Sequence, residues 1–279
     1  MEGDNHFNDL VGWFRKNTEK NVLIALSGGV DSAVVALAAK KALQDKAIAI
    51  TANYKTLAEE ELKTSQNVAK EINIEHIIIE YDELQDIDFI KNDLNRCYYC
   101  RNKLSEYLLD FGKKNNVTDI VDGTNIEDLY DYRPGIKALD KNGIKHPLVE
   151  MRFNKKIIRD IAKRHNLSVY DKPSNSCLAS RIPTGTTITK EKLERIESIE
   201  KLIKKLFNIN QVRVRDHEEI ARIETDVSEM KKLFDIEKLS KLNNEVRKFG
   251  FKYVTVDIGG YKQGSLIVLN EKKDEYNKC

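Results

Sequence analysis

The sequence of 279 residues has only four cysteines, no apolar run of membrane-spanning length and almost no excess of either charge. Lys and Arg number 47 and Asp and Glu 45, so the net charge of +2 predicts no bulk attraction to nucleic acid. The N-terminal residues lack the basic and apolar regions of a signal peptide. We therefore expect a cytoplasmic protein without a membrane partner. In that reducing compartment, four cysteines favour metal ligands or reactive thiols over disulfides.

The chain also lacks the familiar phosphate-binding patterns at its glycine-rich turn. The turn has neither the Gly-Lys-Ser/Thr end of a Walker A loop nor the Gly-x-Gly-x-x-Gly spacing of a dinucleotide fold. It lies between the apolar run 22–26 and the helix-forming run 33–39 and consists of Ser27, Gly28, Gly29, Val30, Asp31 and Ser32. A strand, such a turn and a helix N-terminus form an anion site, because free backbone N–H groups and the helix dipole attract phosphate. The alternative is an ordinary strand-to-helix turn.

Short apolar runs alternate with helical patterns through the first part of the chain. We predict strands at 22–26, 47–51, 77–81, 120–124 and 167–170, and helices at 5–20, 57–71, 103–111 and 154–165. This alternation indicates right-handed βαβ units and an α/β fold with a doubly wound parallel sheet. Ligands bind at the carboxyl ends of such strands, so Ser27, Thr51 and Gly123 are expected to line one nucleotide pocket.

The pattern changes near residue 185. A helix with heptad-like apolar spacing is predicted at 189–207, followed by strands at 211–215, 220–224, 253–258 and 265–268 and a helix at 233–249. This order indicates a smaller C-terminal α+β domain. The predicted division is therefore a nucleotide domain over 1–185 and a small domain over 186–279.

Three cysteines lie where they can take part in chemistry. Cys97 and Cys100 form a Cys-x-x-Cys pair, which occurs in zinc half-sites, iron–sulfur half-sites and redox dithiols, or without function. A zinc site needs a second close Cys or His pair, and the sequence has none. Cys177 lies in the loop 174–183, which follows the last predicted parallel strand. Three thiolates can hold a 4Fe–4S cluster and leave one iron open to sulfide, whereas Cys279 is predicted to be free.

Basic residues near the third cysteine suggest an anion site. Arg213 and Arg215 share a strand face at i, i+2, where like charges repel unless an anion is present. We therefore predict that they bind an anion such as a phosphate, with a solvated basic edge as the alternative. Arg181 has the planar fork that binds a phosphate or a carboxylate. Glu200 is a further candidate, although a glutamate on a helix is usually solvated; no histidine has a partnering pattern, so no general base is assigned.

Several motifs occur in the order found in one known family. They are Ser27–Ser32, Arg96–Cys100, Gly123–Asn125, Asp131–Gly135, Cys177–Arg181 and Arg213–Arg215. With them the chain resembles the LarE-type sulfur transferases of the ATP pyrophosphatase superfamily over nearly its whole length. The resemblance implies an ATP-dependent enzyme of nickel-pincer cofactor synthesis. Such an enzyme adenylates a carboxylate of pyridinium-3,5-biscarboxylic acid mononucleotide and converts it to a thiocarboxylate.

The family has two forms that differ in their sulfur source. One sacrifices the sulfur of the cysteine that matches Cys177 and is left with dehydroalanine, while the other adds a Cys-x-x-Cys pair and holds a 4Fe–4S cluster. Cys97 and Cys100 indicate the second form. The resemblance then implies sulfur delivered from the cluster, renewal by a sulfide or persulfide donor, and a homo-oligomer.

The residues and the resemblance together give the following candidate site. The catalytic set is Cys97, Cys100, Cys177 and Arg181. The ATP and Mg²⁺ set is Ser27–Ser32 for pyrophosphate, Asp31 for the metal, Thr51 and Asn53 for adenine, Gly123, Thr124 and Asn125 for ribose or the α-phosphate, and Arg133 by its motif. The substrate set is Ser180, Arg181, Arg213, Arg215 and Glu200. Solvated strand ends are the alternative for the adenine and ribose positions.

Other functions also fit part of the pattern. A tRNA thiolase of the same superfamily combines this turn with three cluster cysteines, but it needs an RNA-binding surface that the near-neutral charge does not indicate. A nucleotide-binding sensor of iron or redox state would use the same residues without turnover. An amidating enzyme such as NAD synthetase shares the turn but does not account for the three cysteines.

Overall fold

The structure of the chain is a computed structural model that describes residues 2–130 and 133–262, with side chains from residue 5 onward. The strand predicted at 265–268 and Cys279 lie outside the described residues, as do Asp131 and Tyr132. Among the helices that the structure describes, none is long and apolar enough to cross a membrane.

Helices and strands alternate along most of the chain. The helices are α1 (Glu2–Asn17), α2 (Val30–Leu43), α3 (Glu59–Ile72), α4 (Ile87–Ile90), α5 (Arg96–Lys114), α6 (Pro134–Lys141), α7 (Pro147–Glu150), α8 (Lys155–Arg164), α9 (Lys190–Phe207) and α10 (Ile236–Lys248). The strands are β1 (Asn21–Ala25), β2 (Ala47–Tyr54), β3 (Glu75–Tyr81), β4 (Val117–Val121), β5 (Val212–His217), β6 (Ile220–Thr225) and β7 (Tyr253–Val256). Each predicted helix and strand within the described residues is present near its expected position, except the strand at 167–170.

The chain divides into two compact units. The first comprises residues 1–83 and 95–175, and the second comprises 84–94 and the residues from 176 onward. The sequence places the boundary near residue 185 and does not separate 84–94 from the first domain. The short segment belongs with the second unit because the side-chain amide of Asn92 donates to the carbonyl oxygens of Pro183 and Thr186, each at 2.9 Å.

The first unit is built on a four-stranded parallel sheet with the order β3-β2-β1-β4. Ile24 of β1 is in register with Ala49 of β2 and Val121 of β4. Val22 and Ile24 belong to a core that contains residues of α1, α2 and α8, whereas Leu23 belongs to a second core with residues of α5 and α6. Both faces of the sheet are therefore covered by helices, which confirms the predicted α/β class.

Three sequence expectations about strand ends need correction. Residues 167–170 form turns, because Leu167 N donates to Ala162 O and Tyr170 N to Leu167 O instead of to a neighbouring strand. Cys177 therefore does not follow a parallel strand. β2 continues to Tyr54, so Thr51 lies inside the strand, and β4 ends at Val121, before the glycine of the next turn.

The second unit contains a three-stranded sheet with the order β5-β6-β7, in which β5 is antiparallel and β7 parallel to β6. The apolar stripe of α9, including Ile199 and Ile203, packs with Val214 of β5 and Val246 of α10. These contacts confirm a small α+β unit and explain the heptad-like spacing of α9 as one buried face.

Candidate functional site

The glycine-rich turn joins β1 to the N-terminus of α2, as the sequence predicts. Ser27 N donates to Ser32 Oγ at 3.1 Å, and the two serine hydroxyl oxygens are also 3.1 Å apart. Ser32 Oγ donates to the carbonyl oxygen of Gly29, which precedes the first residue of α2. The hydrogen-bonded hydroxyls of Ser27 and Ser32 join the two ends of the turn. The turn lies at the N-terminus of α2, which is the positive end of the helix dipole.

Two glycines allow close backbone approach at this turn. Gly28 has a φ of +77°, and a Cβ there would lie 2.6 Å from the carbonyl oxygen of Glu61 in α3. A Cβ on Gly123, which follows β4, would lie 2.6 Å from the amide nitrogen of Ser32. The turn is therefore packed directly against the backbone of two neighbouring segments, and neither position has room for a side chain.

Asp31 lies in the first turn of α2 and faces Lys155, the first residue of α8. Lys155 Nζ is 2.5 Å from Asp31 Oδ2, whereas Oδ1 is buried and has no hydrogen-bond partner among the described residues. Burial raises the pKa of Asp31, and the charge of Lys155 offsets this only in part. A buried carboxylate oxygen without a partner suits Mg²⁺, which prefers hard oxygen ligands.

A second lysine contacts the other end of the turn. Lys172 Nζ lies 3.1 Å from the carbonyl oxygen of Gly28 and 2.7 Å from Glu61 Oε2. Glu61 is buried, and its Oε1 accepts a hydrogen bond from Asn175 Nδ2 at 2.8 Å. Two ammonium groups thus lie at the turn, one beside the carbonyl of Gly28 and one beside the carboxylate of Asp31.

The segment after β4 is organised by Asp122. Its Oδ1 accepts from Thr124 N at 2.9 Å and its Oδ2 accepts from Thr124 Oγ1 at 2.8 Å. His146 Nδ1 is 2.7 Å from Asp122 Oδ1, and His146 Nε2 is 3.2 Å from Asp140 Oδ1. Burial alone lowers the pKa of His146, but the hydrogen bond to Asp122 and its charge outweigh this and raise the pKa above 6.5. Sequence reasoning found no partner for this histidine.

The His146–Asp122 pair predicts a pH-dependent stability. Because the pKa of His146 is raised on folding, its contribution is fully present below the unfolded pKa and is lost as pH rises through the folded pKa. We expect His146→Gln to lower the free energy of unfolding by about 1 kcal/mol at about pH 6 and by progressively less towards about pH 9. Urea unfolding across that range measures the difference. A difference that grows with pH would contradict the pairing, and Asp140→Asn serves as a milder control.

The predicted adenine residues have their side chains engaged within the sheet. Thr51 Oγ1 donates to the carbonyl oxygen of Leu26 at 2.6 Å and lies 2.8 Å from His76 Nε2. Asn53 Nδ2 donates to Glu80 Oε1 at 2.9 Å. Thr51 therefore fixes the start of the glycine-rich turn to the neighbouring strand β2.

The remaining predicted nucleotide residues lie around Asp128. Asn125 is buried, and its backbone nitrogen donates to Asp128 Oδ2 at 3.0 Å. Arg133 Nη1 is 2.9 Å from Asp128 Oδ1. Asp128 therefore connects Arg133 to the turn that begins at Gly123, a contact that the two separate sequence motifs do not reveal.

The cysteines occupy two different settings. Cys97 and Cys100 are one helical turn apart at the start of α5, where Cys97 is exposed and Cys100 partly exposed. Cys177 is partly exposed and precedes a single helical turn, Leu178–Arg181, in the second unit. Within the ranges that the structure describes, no three His, Cys, Asp or Glu side chains are grouped to hold a metal ion. The two thiols of α5 by themselves supply two of the three thiolates that the predicted cluster requires.

Arg181 is fully buried and holds the loop that contains Cys177. Its Nε and Nη2 lie 2.9 and 3.1 Å from the two carboxylate oxygens of Glu200, and its Nη1 donates to the carbonyl oxygens of Ser176 and Cys177. Glu200 Oε1 also accepts from Val214 N in β5 at 3.0 Å. Glu200 is therefore buried and paired, so the alternative of a solvated helix glutamate does not apply to it.

A second buried ion pair supports the same loop. Arg215 donates from Nε and Nη2 to Glu224 Oε2 at 2.9 and 2.6 Å and from Nη1 to the carbonyl oxygen of Ser180 at 2.9 Å. Arg213 and Arg215 place their guanidinium carbons 5.2 and 5.9 Å from the ring centre of Tyr261, so both lie on one strand face. Burial lowers the pKa of Arg213, and the neighbouring charge of Arg181 adds to this.

Several residues at these sites were not predicted from the sequence. They are Glu61, Asp122, His146, Lys155 and Lys172. Asp122 has a local signal, because an acidic residue directly precedes Gly-Thr-Asn at the end of a strand. Lys172 reaches Gly28 from 144 positions along the chain and His146 reaches Asp122 from 24, so no local spacing indicates these contacts.

Comparisons with known proteins match the segment that contains the turn and most of the rest of the chain. A family model of the queuosine biosynthesis protein QueC matches residues 21–96. An uncharacterised protein of Synechocystis is 39% identical over 88% of this chain and 91% of that protein. A pyridinium-3,5-bisthiocarboxylic acid mononucleotide synthase of Lactiplantibacillus plantarum is 32% identical over 88% of this chain and 89% of the synthase. An uncharacterised protein of Methanocaldococcus jannaschii is 31% identical over 88% of this chain and 93% of that protein.

The similarity to the synthase extends beyond the glycine-rich turn, because an aligned share of 88% includes residues of both units. The turn itself follows the first strand of a parallel sheet with the order β3-β2-β1-β4, and it lies within the residues that the QueC family model matches. The chain belongs to the LarE-like family of PP-loop ATP pyrophosphatases.

Proposed function

We propose that the protein adenylates a carboxylate of pyridinium-3,5-biscarboxylic acid mononucleotide with ATP and then converts the adenylate to a thiocarboxylate. A carboxylate oxygen attacks the α-phosphorus, pyrophosphate leaves, and a sulfur nucleophile then displaces AMP. The observation that carries the proposal is the turn Ser27–Ser32, closed by its two serine hydroxyls at the N-terminus of α2. The L. plantarum relative, a bisthiocarboxylic acid mononucleotide synthase, supports the choice of substrate.

The nucleotide roles follow from the contacts in the first unit. The backbone N–H groups of residues 28–32 are proposed to hold the leaving pyrophosphate. Asp31 is proposed to hold Mg²⁺ through its buried Oδ1, and the ion when bound neutralises part of the phosphate charge. Residues 123–125, adjacent to Ser32, are proposed to contact the ribose or α-phosphate. Thr51 and Asn53 have engaged side chains, so an adenine contact there would use the backbone of β2.

The substrate roles are proposed for the buried arginines of the second unit. Around this loop Arg181, Arg213, Arg215 and Arg222 carry four positive charges, and Glu200, Glu224 and Asp257 carry three negative charges, so this group has a net charge of +1. An anion such as the phosphate of a mononucleotide would balance that charge. Burial and the charge of Arg181 lower the pKa of Arg213, and a bound anion would offset both effects. Arg213 is therefore proposed as the main phosphate contact, with Ser180 as a further contact.

The proposed reaction is tested by incubating the protein with ATP, Mg²⁺, the biscarboxylic mononucleotide and sulfide. We expect equal amounts of AMP and pyrophosphate, and a product in which mass spectrometry shows sulfur in place of oxygen. Asp31→Asn should slow pyrophosphate release and formation of the sulfur-containing product by about a hundred-fold, because it removes the charged side chain proposed to hold Mg²⁺ at the phosphates. Lys156→Gln, an exposed change on α8, should have no effect. Release of ADP and phosphate would contradict the proposal.

The sulfur source is the finer part of the proposal. We propose that Cys97, Cys100 and Cys177 are thiolate ligands of a 4Fe–4S cluster, which would supply the sulfur and be renewed by a sulfide or persulfide donor. The support is the sequence pattern and the i, i+3 placement of the two thiols on α5. Cys177 as a sacrificial donor is the alternative, and its loop is fixed by Arg181 in either case.

Anaerobic purification followed by iron and sulfide analysis tests the cluster. We expect about four iron and four sulfide ions per chain in the unaltered protein, and a large loss in Cys97→Ala but not in Cys279→Ala. An iron-free protein that turns over repeatedly would refute the cluster. Loss of one Cys177 sulfur per product, detected by mass spectrometry, would establish the sacrificial route instead.

A further inference from the structure

We propose that Lys172 and Lys155 bind the β- and γ-phosphates of ATP, and that Glu61 and Asp31 hold the two ammonium groups at the turn before the nucleotide arrives. The inference rests on the proposed function and extends it, because it assigns the positive charge that receives the leaving pyrophosphate. None of the sequence motifs contains either lysine.

Lys172 is placed at the turn by several contacts within the first unit. Its Nζ donates to the carbonyl oxygen of Gly28 and to Glu61 Oε2, so two of its three N–H groups have partners among the described residues. Its side chain is only 19% exposed. A lysine usually extends its ammonium into water, whereas this one is held against the backbone of a phosphate-binding turn.

Glu61 has a matching position on the opposing helix. Its backbone carbonyl oxygen packs against Gly28, since a Cβ on Gly28 would lie only 2.6 Å from that oxygen. Its carboxylate accepts hydrogen bonds from both Lys172 and Asn175. The carboxylate is almost entirely buried, which is costly for a charge that only stabilises the fold. Its position is explained if it orients the ammonium of Lys172 towards the turn.

Lys155 occupies the corresponding place at Asp31. Its Nζ has one partner in the described part of the chain, Asp31 Oδ2, so two N–H groups remain for a ligand. Its backbone nitrogen donates to Glu127 Oε1 at 3.0 Å, which fixes the start of α8. Mg²⁺ held through Asp31 Oδ1 would draw on the charge of the same carboxylate, so Lys155 at Oδ2 would be held less tightly and could also donate to phosphate.

Charge explains why the turn needs both groups. The N–H groups of the turn are neutral donors, and the four charged side chains Asp31, Glu61, Lys155 and Lys172 sum to zero. The leaving pyrophosphate carries several negative charges, of which one Mg²⁺ neutralises two. Two ammonium groups that are already held at the turn can donate charge-assisted hydrogen bonds to the phosphate oxygens without bringing a solvated side chain from the surface.

Calorimetric titration of the full chain with magnesium pyrophosphate, and separately with AMP, tests the proposal. Lys172→Met and Lys155→Met should each weaken pyrophosphate binding by about ten-fold or more and leave AMP binding unchanged. Glu61→Gln removes the opposing charge and leaves one amide oxygen in place of the two carboxylate oxygens that accept from Lys172 and Asn175, so Lys172 is held less tightly and pyrophosphate should bind more tightly. That gain should vanish when Lys172→Met is added. Lys163→Met, an exposed change on α8, should leave both ligands unaffected.

The outcomes separate this inference from the proposed function. If the unaltered protein binds neither pyrophosphate nor ATP, the proposed function fails and this inference with it. If it binds both and either lysine variant binds pyrophosphate normally, the two-lysine site alone is overturned. An equal loss of AMP binding would also overturn it, since that indicates general damage. Thermal unfolding shows whether each variant is folded. If a lysine variant does not fold, the pyrophosphate affinity of Glu61→Gln tests the two-lysine site instead, and an unchanged affinity would overturn it.

Discussion

Gly28→Ala should lower both the free energy of unfolding and the rate of pyrophosphate release from ATP. The residue has a φ of +77°, a conformation that side chains rarely adopt, and its Cβ would lie 2.6 Å from Glu61 O and 3.2 Å from Ser65 N. Both atoms belong to the backbone of α3 and cannot rotate away, so the helix or the turn must move. We expect a loss of about 3 kcal/mol in the free energy of unfolding and of more than about a hundred-fold in pyrophosphate release.

Gly143→Ala provides a matched control for this prediction. Gly143 has a φ of +72°, but a Cβ there would have no neighbouring atom within 4 Å, so only the conformational strain applies. Gly143→Ala should lower the free energy of unfolding by about 1 kcal/mol and leave pyrophosphate release normal. Urea unfolding and a pyrophosphate assay measure both variants. If Gly28→Ala and Gly143→Ala lose equal amounts of unfolding free energy and of pyrophosphate release, the close approach to α3 is not the reason that position 28 requires glycine.

The sheet was predictable because its strands are buried on both faces. Continuous apolar runs such as 22–26 have no polar positions that a solvated strand would show, and they alternate with amphipathic helices. The same reasoning fails at 167–170, where Leu167 and Val169 are also buried. Their burial comes from turns after α8 and not from a strand, and an apolar pattern alone does not distinguish the two.

The site was predictable only where its contacts are local. The turn Ser27–Ser32 is one segment, so its residues and spacing indicate an anion site directly. The common face of Arg213 and Arg215 follows from the two-residue period of a strand. The buried ion pairs around them do not follow from it, because Glu200 lies on α9 and Glu224 on β6, and only the folded unit brings these carboxylates to Arg181 and Arg215.

Glu200→Gln should be among the most destabilising single changes in the second unit. It leaves the charge of Arg181 buried beside a neutral amide, although a hydrogen bond from Val214 N can persist. Removing one member of a buried ion pair typically costs about 3 kcal/mol or more of the free energy of unfolding. Because Arg181 also holds the carbonyl groups of Ser176 and Cys177, the loop should loosen, and alkylation of Cys177 should become several-fold faster.

Two further variants decide whether charge is responsible for that loss. Glu197→Gln lies on the same helix and breaks a surface ion pair with Lys201, so it should cost about 0.5 kcal/mol or less and leave Cys177 alkylation unchanged. The double variant Arg181→Met with Glu200→Leu removes both buried charges and should be more stable than Glu200→Gln. It should still show fast alkylation, since the loop has lost its guanidinium. Slow alkylation in the double variant would mean that β5 holds the loop without Arg181, and the role given to that arginine would be wrong.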